Sequence, residues 1–223
     1  MTAIRPVTPA TAAARSAAVR AAEHLAPAGT RIGTGAPLGG WVALAGTPDP
    51  TETARRTQAG LGAVTDVPVL EMLLGLPHGL PVPPGALSDR DRRALAAAPA
   101  GCADHGPDGI VRQARPPLTP ALAVVSAIRG WRAGLEQAGR YAPFCARAVV
   151  VPRAPRDLLA ACVEADFYGV GLVVVSESEV DVLVTPEPYR ARRVTARRWW
   201  LAEQVHRALV TRDERAAAGI GAP

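Results

Sequence analysis

The sequence contains no lysine, and every one of its 25 basic residues is arginine. Aromatic residues make up only 4% of the 223 residues, so a core has to be built mainly from Ala, Val and Leu. The missing lysine accompanies abundant Ala, Gly and Pro, a bias that GC-rich codon usage explains without any functional cause. The formal net charge of +5 permits association with nucleic acid or another anionic partner, without demonstrating it.

Cysteine and histidine are too few and too scattered to predict a metal site or a disulfide framework. The three cysteines, Cys102, Cys145 and Cys162, have no histidine at metal-ligand spacing, and their odd count favours a reducing compartment. No apolar run reaches the ~18 residues of a membrane span. The N-terminus lacks the apolar core of a signal peptide. We therefore expect a cytoplasmic protein without a membrane partner.

The second half of the chain alternates continuously apolar strands with helices. This pattern is typical of a sheet covered on both faces, and it predicts an α/β fold. The second of these helices carries an apolar stripe made of Leu158, Leu159, Cys162, Val163 and Phe167. The last strand is expected at a sheet edge because prolines follow it at once. Strands are predicted at 118–128, 146–151, 170–175 and 180–184, and a final helix at 195–212.

The first half reads as helices and turns. Ser88 can cap a helix, with Asp91 three residues on as a variant capping box, and Asp108-Gly109 is a hairpin signal. A helix, a helix and a hairpin follow each other as in a winged helix. We therefore divide the chain into a helical, winged-helix-like region at 1–115 and an α/β domain at 116–223. Helices are predicted at 9–25, 65–76 and 87–98, a strand at 41–45, and turns at the glycines of 29–40.

A family resemblance rests on the order of elements after residue 118. A strand is followed by a helix bearing Trp131, Gln137 and Tyr141, by a strand ending in Pro152, and by a glycine-containing third strand. In this order residues 118–188 resemble the PD-(D/E)xK nuclease-like superfamily, the restriction-endonuclease-like fold. The resemblance implies a nuclease-like mixed sheet flanked by helices. Gln137 and Tyr141 match the Q-x-x-x-Y element of an exonuclease-like branch.

The sequence departs from this family where its catalytic residues belong. The family's E-x-K motif, which binds Mg²⁺ and positions a water, falls near Val125-Ser126-Ala127, and none of these side chains supplies a charged ligand. Asp108, Glu136 and Arg132 are the remaining catalytic candidates. Asp108 is more simply explained as a turn residue, whereas Glu136 and Arg132 (or Arg129) would be migrated groups. The resemblance therefore implies a nuclease-like fold without nuclease activity or cofactor, and Mg²⁺ only if migrated groups work.

An arginine-rich segment offers a candidate nucleic-acid interface. It contains no acidic residue, so it can neutralise phosphates or form an ordinary solvated surface. Trp199 and Trp200 lie on adjacent positions of the last helix, so one can pack inward while the other meets a partner. Gln137 and Tyr141 share one helical face and either line a cleft for a nucleic-acid backbone or pack on the sheet. The arginines are Arg190, Arg192, Arg193, Arg197 and Arg198.

Three functions remain open on these grounds. The first is a non-catalytic, DNA-associated or regulatory protein built on a nuclease-like fold. The second is a metal-dependent nuclease with migrated active-site residues. The third is a structural module for protein–protein interaction, with the helix of Trp199 and Trp200 as the contact. Magnesium-dependent cleavage separates the second from the others, and salt-dependent DNA binding separates the first from the third.

Overall fold

The structure, a computed structural model, describes residues 11–190 and 193–217 as an α/β protein. Nine strands and seven α-helices are present in these ranges. In chain order they are α1 Ala12–Leu25, β1 Arg31–Gly35, β2 Val42–Pro48, α2 Pro50–Ala59, α3 Val67–Gly75, β3 Pro81–Val82, α4 Asp89–Ala97, β4 Ala103–Gly106, β5 Gly109–Arg112, β6 Leu118–Ser126, α5 Trp131–Gly139, β7 Ala146–Val151, α6 Leu158–Phe167, β8 Val170–Val175, β9 Val180–Val184 and α7 Ala196–Ala217.

The described residues form two compact units that are interleaved along the chain. The first unit comprises 11–47, 120–190 and 208–217, and the second comprises 48–119 and 193–207. The sequence pattern suggested one division near residue 115. The contacts instead assign the amino-terminal helix and the first two strands to the same unit as strands β6 to β9.

The first unit is organised around a six-stranded mixed sheet with the order β1-β2-β6-β7-β8-β9. Strands β6, β7 and β8 are parallel, with Val125 opposite Val149 and Val149 opposite Leu172. Strand β9 runs antiparallel to β8 and ends the sheet, which confirms its predicted edge position. At the other edge β1 runs antiparallel to β2.

Helices cover both faces of this sheet, which confirms the predicted α/β class. On one face α1 packs three buried alanines against a cluster that includes Leu122, Val124 and Val150. Successive residues of a strand point to opposite faces, so Val125 and Val149 face the other side, where α5 lies. Helix α5 buries Trp131, Leu135 and Ala138 there, as their spacing predicted. The alanines of α1 are Ala18, Ala21 and Ala22.

Helix α6 turns its apolar stripe away from the sheet. Leu159 is 78% exposed, Val163 61% and Phe167 80%, whereas the buried positions are Ala161 and Ala165. The small alanine side chains let the helix approach β8 and β9 closely. The larger residues of the stripe are therefore left on the surface, although their spacing is typical of a core-facing helix.

The second unit combines helices α2, α3 and α4 with a small sheet of order β3-β5-β4. Ser88 caps α4 by accepting a hydrogen bond of 3.1 Å from the Asp91 amide, as the capping-box pattern predicted. The hairpin expected at Asp108-Gly109 joins β4 to β5, with Gly109 at φ +131°. The core of the second unit includes Leu70, Leu73, Cys102 and Trp199, among other apolar residues.

Three elements were missed by the sequence pattern, of which the shortest is β3, two residues in a segment rich in Pro and Gly. The glycine-rich segment predicted as turns contains strand β1, with Gly33 and Gly35 inside the strand. Helix α2 was not predicted, because its buried face consists of Glu52 and Arg56 rather than apolar residues. The signals for α2 were local: Asp49 caps it, Pro50 stands at its start and Glu52 follows in the first turn, as at many helix starts.

Candidate functional site

A pocket of about 240 Å³ lies in the first unit where strand β6 ends and helix α5 begins. Ser126 and Ala127 at the end of β6 form one side, and Ala133, Gly134, Glu136 and Gln137 of α5 form another. The turn between β1 and β2, at Gly39 and Gly40, closes it. In open α/β sheets ligands bind outside the carboxyl ends of the strands, so this β6 pocket is the candidate site.

Two glycines let the β1–β2 turn approach α5. Gly39 and Gly40 have φ of +78° and +79°, a backbone region that other residues rarely adopt. A Cβ atom on Gly40 would lie 2.4 Å from Nε2 of Gln137, so any other residue would displace this side chain as well as strain the backbone. Nε2 of Gln137 donates to the Trp41 carbonyl at 3.2 Å, and Nη1 of Arg140 donates to the Leu38 carbonyl at 3.1 Å. These contacts fix one wall of the β6 pocket.

The charged residues of the β6 pocket give it a net positive lining. Arg129 and Arg140 line it together with one carboxylate, that of Glu136. Helix α5 has Gly130 as its N-cap residue, and this glycine has no side chain with which to cap the amide groups of the first turn. Such amides and the helix dipole favour an anion near the start of a helix. The pocket is therefore suited to a small anionic group rather than to a cation.

The strand segment that would carry the family's E-x-K motif faces the interior. Val125 is fully buried and Ala127 is 6% exposed, and both lie beneath α5. The hydroxyl of Ser126 donates to the Ala14 carbonyl at 2.6 Å and so joins β6 to α1. This segment provides no charged ligand for a hard cation. Among the described residues, no three His, Cys, Asp or Glu side chains are grouped to hold a metal ion.

The three catalytic candidates do not all belong to one element of the fold. Glu136 is exposed and lines the β6 pocket. Arg132 lies over the Trp131 ring, 4.1 Å from its centroid, and 3.6 Å and 3.5 Å from carboxylate oxygens of Asp157 and Glu164. Asp108 belongs to the β4–β5 turn of the second unit. Of the three, only Glu136 contributes to the pocket.

Gln137 and Tyr141 separate into a pocket residue and a core residue. Gln137 is partly exposed and lines the β6 pocket. Tyr141 follows the last turn of α5 and is fully buried. Its burial raises the pKa of the phenol, an effect that the nearby Leu38 backbone only partly offsets. The pair therefore does not form one exposed face, and the Tyr141 side chain packs in the core instead.

The arginine-rich segment is only partly a surface feature. Arg190, Arg193 and Arg197 are exposed, whereas Arg198 is 9% exposed and too buried to act as a free surface cation. Arg192 lies outside the described residues. In the same helix Trp199 is buried and Trp200 is partly exposed, as their adjacent positions predicted.

A second charged cluster is enclosed in the second unit. Arg56 is 2% exposed and makes two hydrogen bonds to Glu203, of 2.7 and 2.9 Å, and one of 2.8 Å to Glu52. Glu203 also accepts from the Val64 amide and the Trp199 indole. Burial acts against the charge of Glu52, but hydrogen bonds from the neighbouring arginines outweigh it and lower its pKa. Because all its members are paired, the cluster is structural.

Sequence reasoning did not find Gly39, Gly40 and Arg140 as site residues. Arg140 stands three residues after Gln137 and so lies near it on the helix. The Gly39-Gly40 pair was visible as a turn, but its approach to α5 is a contact between distant parts of the chain. These glycines are not followed by the Gly-Lys-Ser/Thr ending of a phosphate-binding loop, so the local pattern indicates only a turn.

No protein-family model matches the chain, and no curated protein or solved structure matches it either. In the part of the chain that the structure describes, no helix has both the length and the apolar character to cross a bilayer. The function must therefore be argued from the geometry alone.

Proposed function

We propose that this chain is a non-catalytic nucleic-acid-binding protein built on a nuclease-like fold, and that the β6 pocket receives a backbone phosphate. The observation that carries this proposal is that Arg129 and Arg140 both line a pocket at the carboxyl end of a parallel strand. Arginine binds phosphate through forked hydrogen bonds. The pocket, at about 240 Å³, suits one phosphate group with a few waters better than a whole nucleotide.

Two features of the fold support the same proposal. The succession of β6, α5, β7, α6 and β8, with three parallel strands, follows the order on which the nuclease-like resemblance rests. In the second unit, helices α3 and α4 followed by the β4–β5 hairpin have the order of a winged helix. Exposed Arg193 and Arg197 would add phosphate contacts outside the pocket.

The test is a salt titration of duplex binding by the whole protein. Replacing Arg129 and Arg140 by Gln should make the negative slope of log affinity against log salt shallower by about 0.9 per lost phosphate contact. The same change at Arg193 and Arg197 measures the arginine-rich segment separately. Arg31 and Arg207 are the matched controls because they lie outside the pocket, where they bind Asp213 and Gln204. An unchanged slope in the pocket variant would remove the pocket from the binding site.

The metal-dependent nuclease remains the second candidate because Glu136 lines the β6 pocket. Its lone carboxylate lacks the second acid that metal-assisted phosphodiester cleavage usually employs. We expect no cleavage of duplex or single-stranded DNA with Mg²⁺ or Mn²⁺. Cleavage that disappears in Glu136→Ala and survives in Glu164→Ala would contradict the proposal and favour this alternative.

A further inference from the structure

Helix α6 presents a row of large apolar side chains that the first unit leaves exposed. Leu159, Val163 and Phe167 are four residues apart, so they form one continuous row along the helix, here called the α6 ridge. Tyr168 extends it and is 55% exposed, with its ring 5.1 Å from that of Phe167 in an edge-to-face arrangement. Isolated apolar residues on a surface are ordinary, but a contiguous row of this size marks an interaction site.

The α6 ridge is large enough to be the centre of a protein interface. A large aromatic side chain buries about 150–250 Å². With Phe167 and Tyr168 more than half exposed and the aliphatic residues beside them, the ridge supplies roughly half of the ~800 Å² that each partner contributes to a standard interface. The exposed remainder of α6 can supply the rest.

The charges around α6 are arranged against the dipole of the helix. Arg153 and Arg156 precede its positive end and are exposed, while Glu164 and Asp166 lie in its last turns. After the N-cap residue the first turn holds no acid, and the last turn holds no base. The N-cap acid, Asp157, is already engaged within the first unit by the Trp131 indole and by Arg132. An isolated helix prefers the opposite arrangement. A second helix lying antiparallel brings acids to the arginine end and arginines to the acid end, and so relieves the conflict.

Asp166 is the acid best placed for such a contact. Glu164 already has Arg132 at 3.5 Å, and Arg147 donates to the Tyr168 carbonyl at the end of the helix. Asp166 is exposed and lies three residues after Val163, whereas Arg156 lies seven residues before it. In an antiparallel pair centred on Val163, Arg156 of one helix is therefore offset by four residues, about 6 Å along the helix, from Asp166 of the other. An arginine side chain spans that distance.

We propose that α6 is a self-association surface, on which two copies of the chain pack their α6 ridges antiparallel about a two-fold axis near Val163. Such an interface is isologous, so each copy contributes the same residues and Arg156 of one faces Asp166 of the other. Ridge-into-groove packing of rows four residues apart is the commonest helix pairing in globular proteins. The inference does not depend on nucleic-acid binding.

The first experiment measures the mass of the full chain by sedimentation equilibrium over a wide concentration range. The wild-type chain should be dimeric at high concentration. Val163→Glu places two like charges on the axis and should raise the dissociation constant about 30-fold or more, as loss of a hot spot does. Leu80→Glu is the matched control: Leu80 is 61% exposed and belongs to the second unit, and its variant should stay dimeric.

The second experiment tests the antiparallel orientation. Arg156→Glu and Asp166→Arg should each weaken the dimer, and the double variant should recover most of the loss. In a Cys162→Ser background, Val163→Cys should form an intermolecular disulfide on mild oxidation, because its Cα atoms meet at the axis. Leu159→Cys should not, because antiparallel packing sets its two copies about 12 Å apart along the helix.

Three results would overturn the proposal. A wild-type chain that remains monomeric at all concentrations would leave the α6 ridge to a different protein. A dimer unaffected by Val163→Glu would place self-association elsewhere on the chain. Cross-linking of Leu159→Cys as readily as Val163→Cys would show a parallel pair. Circular dichroism of each variant distinguishes loss of association from loss of fold, and the exposed positions chosen should leave the fold intact.

Discussion

Arg56 lies in the interior of the second unit between the carboxylates of Glu52 and Glu203. Taking three charges out of water is costly, and the cost is offset only because every charged atom has a hydrogen-bonding partner. Replacing Arg56 leaves Glu203 buried without its counter-charge, although Glu52 keeps its pair with Arg55. The cluster is therefore much more sensitive to single substitutions than an exposed ion pair.

We expect Arg56→Met to lower the free energy of unfolding by about 3–5 kcal/mol, because the buried carboxylate of Glu203 loses its arginine, whereas Glu52 retains Arg55. Chemical denaturation followed by circular dichroism measures the change. Arg90→Met is the matched control, since Arg90 forms an exposed pair with Glu71, and exposed pairs contribute only about 0–1 kcal/mol. Similar losses in the two variants would contradict the structural role assigned to the cluster.

Single residues also explain where sequence reasoning about the site stopped. The pocket residue Gln137 was identified from a family motif, and Glu136 as a migrated catalytic candidate. The carbonyls that hold Gln137 and Arg140 come from Leu38 and Trp41, about a hundred positions earlier. No local pattern encodes such a contact. The pocket could therefore be predicted only as isolated side chains, without its second wall.

At the scale of elements, periodicity predicted β7, β8 and β9 with the bounds that the structure has. Apart from Arg147 in β7 and Asp181 in β9, these strands consist of small apolar, aliphatic and β-branched residues, so burial and propensity indicate the same element. Periodicity failed for α2 and for the orientation of α6. In α2 the buried residues are charged. In α6 the buried residues are Ala161 and Ala165, and alanine contributes less to a hydrophobicity pattern than the larger apolar residues on the exposed face.

The packing of α5 on the sheet provides a sharp element-scale prediction. A Cβ atom at Gly134 would lie 2.6 Å from Cγ1 of Val149 and 2.9 Å from Cβ of Ala127, whereas one at Gly139 meets nothing within 4 Å. Gly134→Ala should therefore destabilise the protein by about 1–3 kcal/mol through overpacking. Gly139→Ala in the same helix should be neutral or stabilising by up to about 1 kcal/mol.

Thermal or chemical unfolding of these two variants measures both effects under the same conditions. The two substitutions are chemically identical, so helix propensity alone would shift both in the same direction. Stabilisation by Gly134→Ala would mean that α5 does not lie this close to β6 and β7. The α5 side of the β6 pocket would then lie farther from the sheet.

At the scale of the whole molecule, the interleaved units determine how the chain can be divided. Residues 116–223 contain β6 to β9 but lack α1, which covers one face of the sheet, and β2, which neighbours β6. They also contain Glu203 without Arg56. We expect this fragment to be without a cooperative unfolding transition, because an apolar sheet face and a buried carboxylate are both left open.

Denaturant titration of the fragment beside the full chain, followed by tryptophan fluorescence, measures this difference. The fragment contains three of the four tryptophans and lacks only Trp41, so the fluorescence signals are comparable. A sigmoidal transition in the fragment with a midpoint close to that of the full chain would show that residues 116–223 fold as an independent domain.

The pairing of Arg56 with Glu203 joins residues that are 147 positions apart. During synthesis, at about 5–20 residues per second, Arg56 leaves the ribosome many seconds before Glu203 is made. Until then Arg55 and Arg56 share the single carboxylate of Glu52, so the centre of the second unit keeps a net positive charge. Its consolidation therefore waits for residue 203, and a nascent chain stalled before that residue would present an unfinished interior to chaperones and proteases.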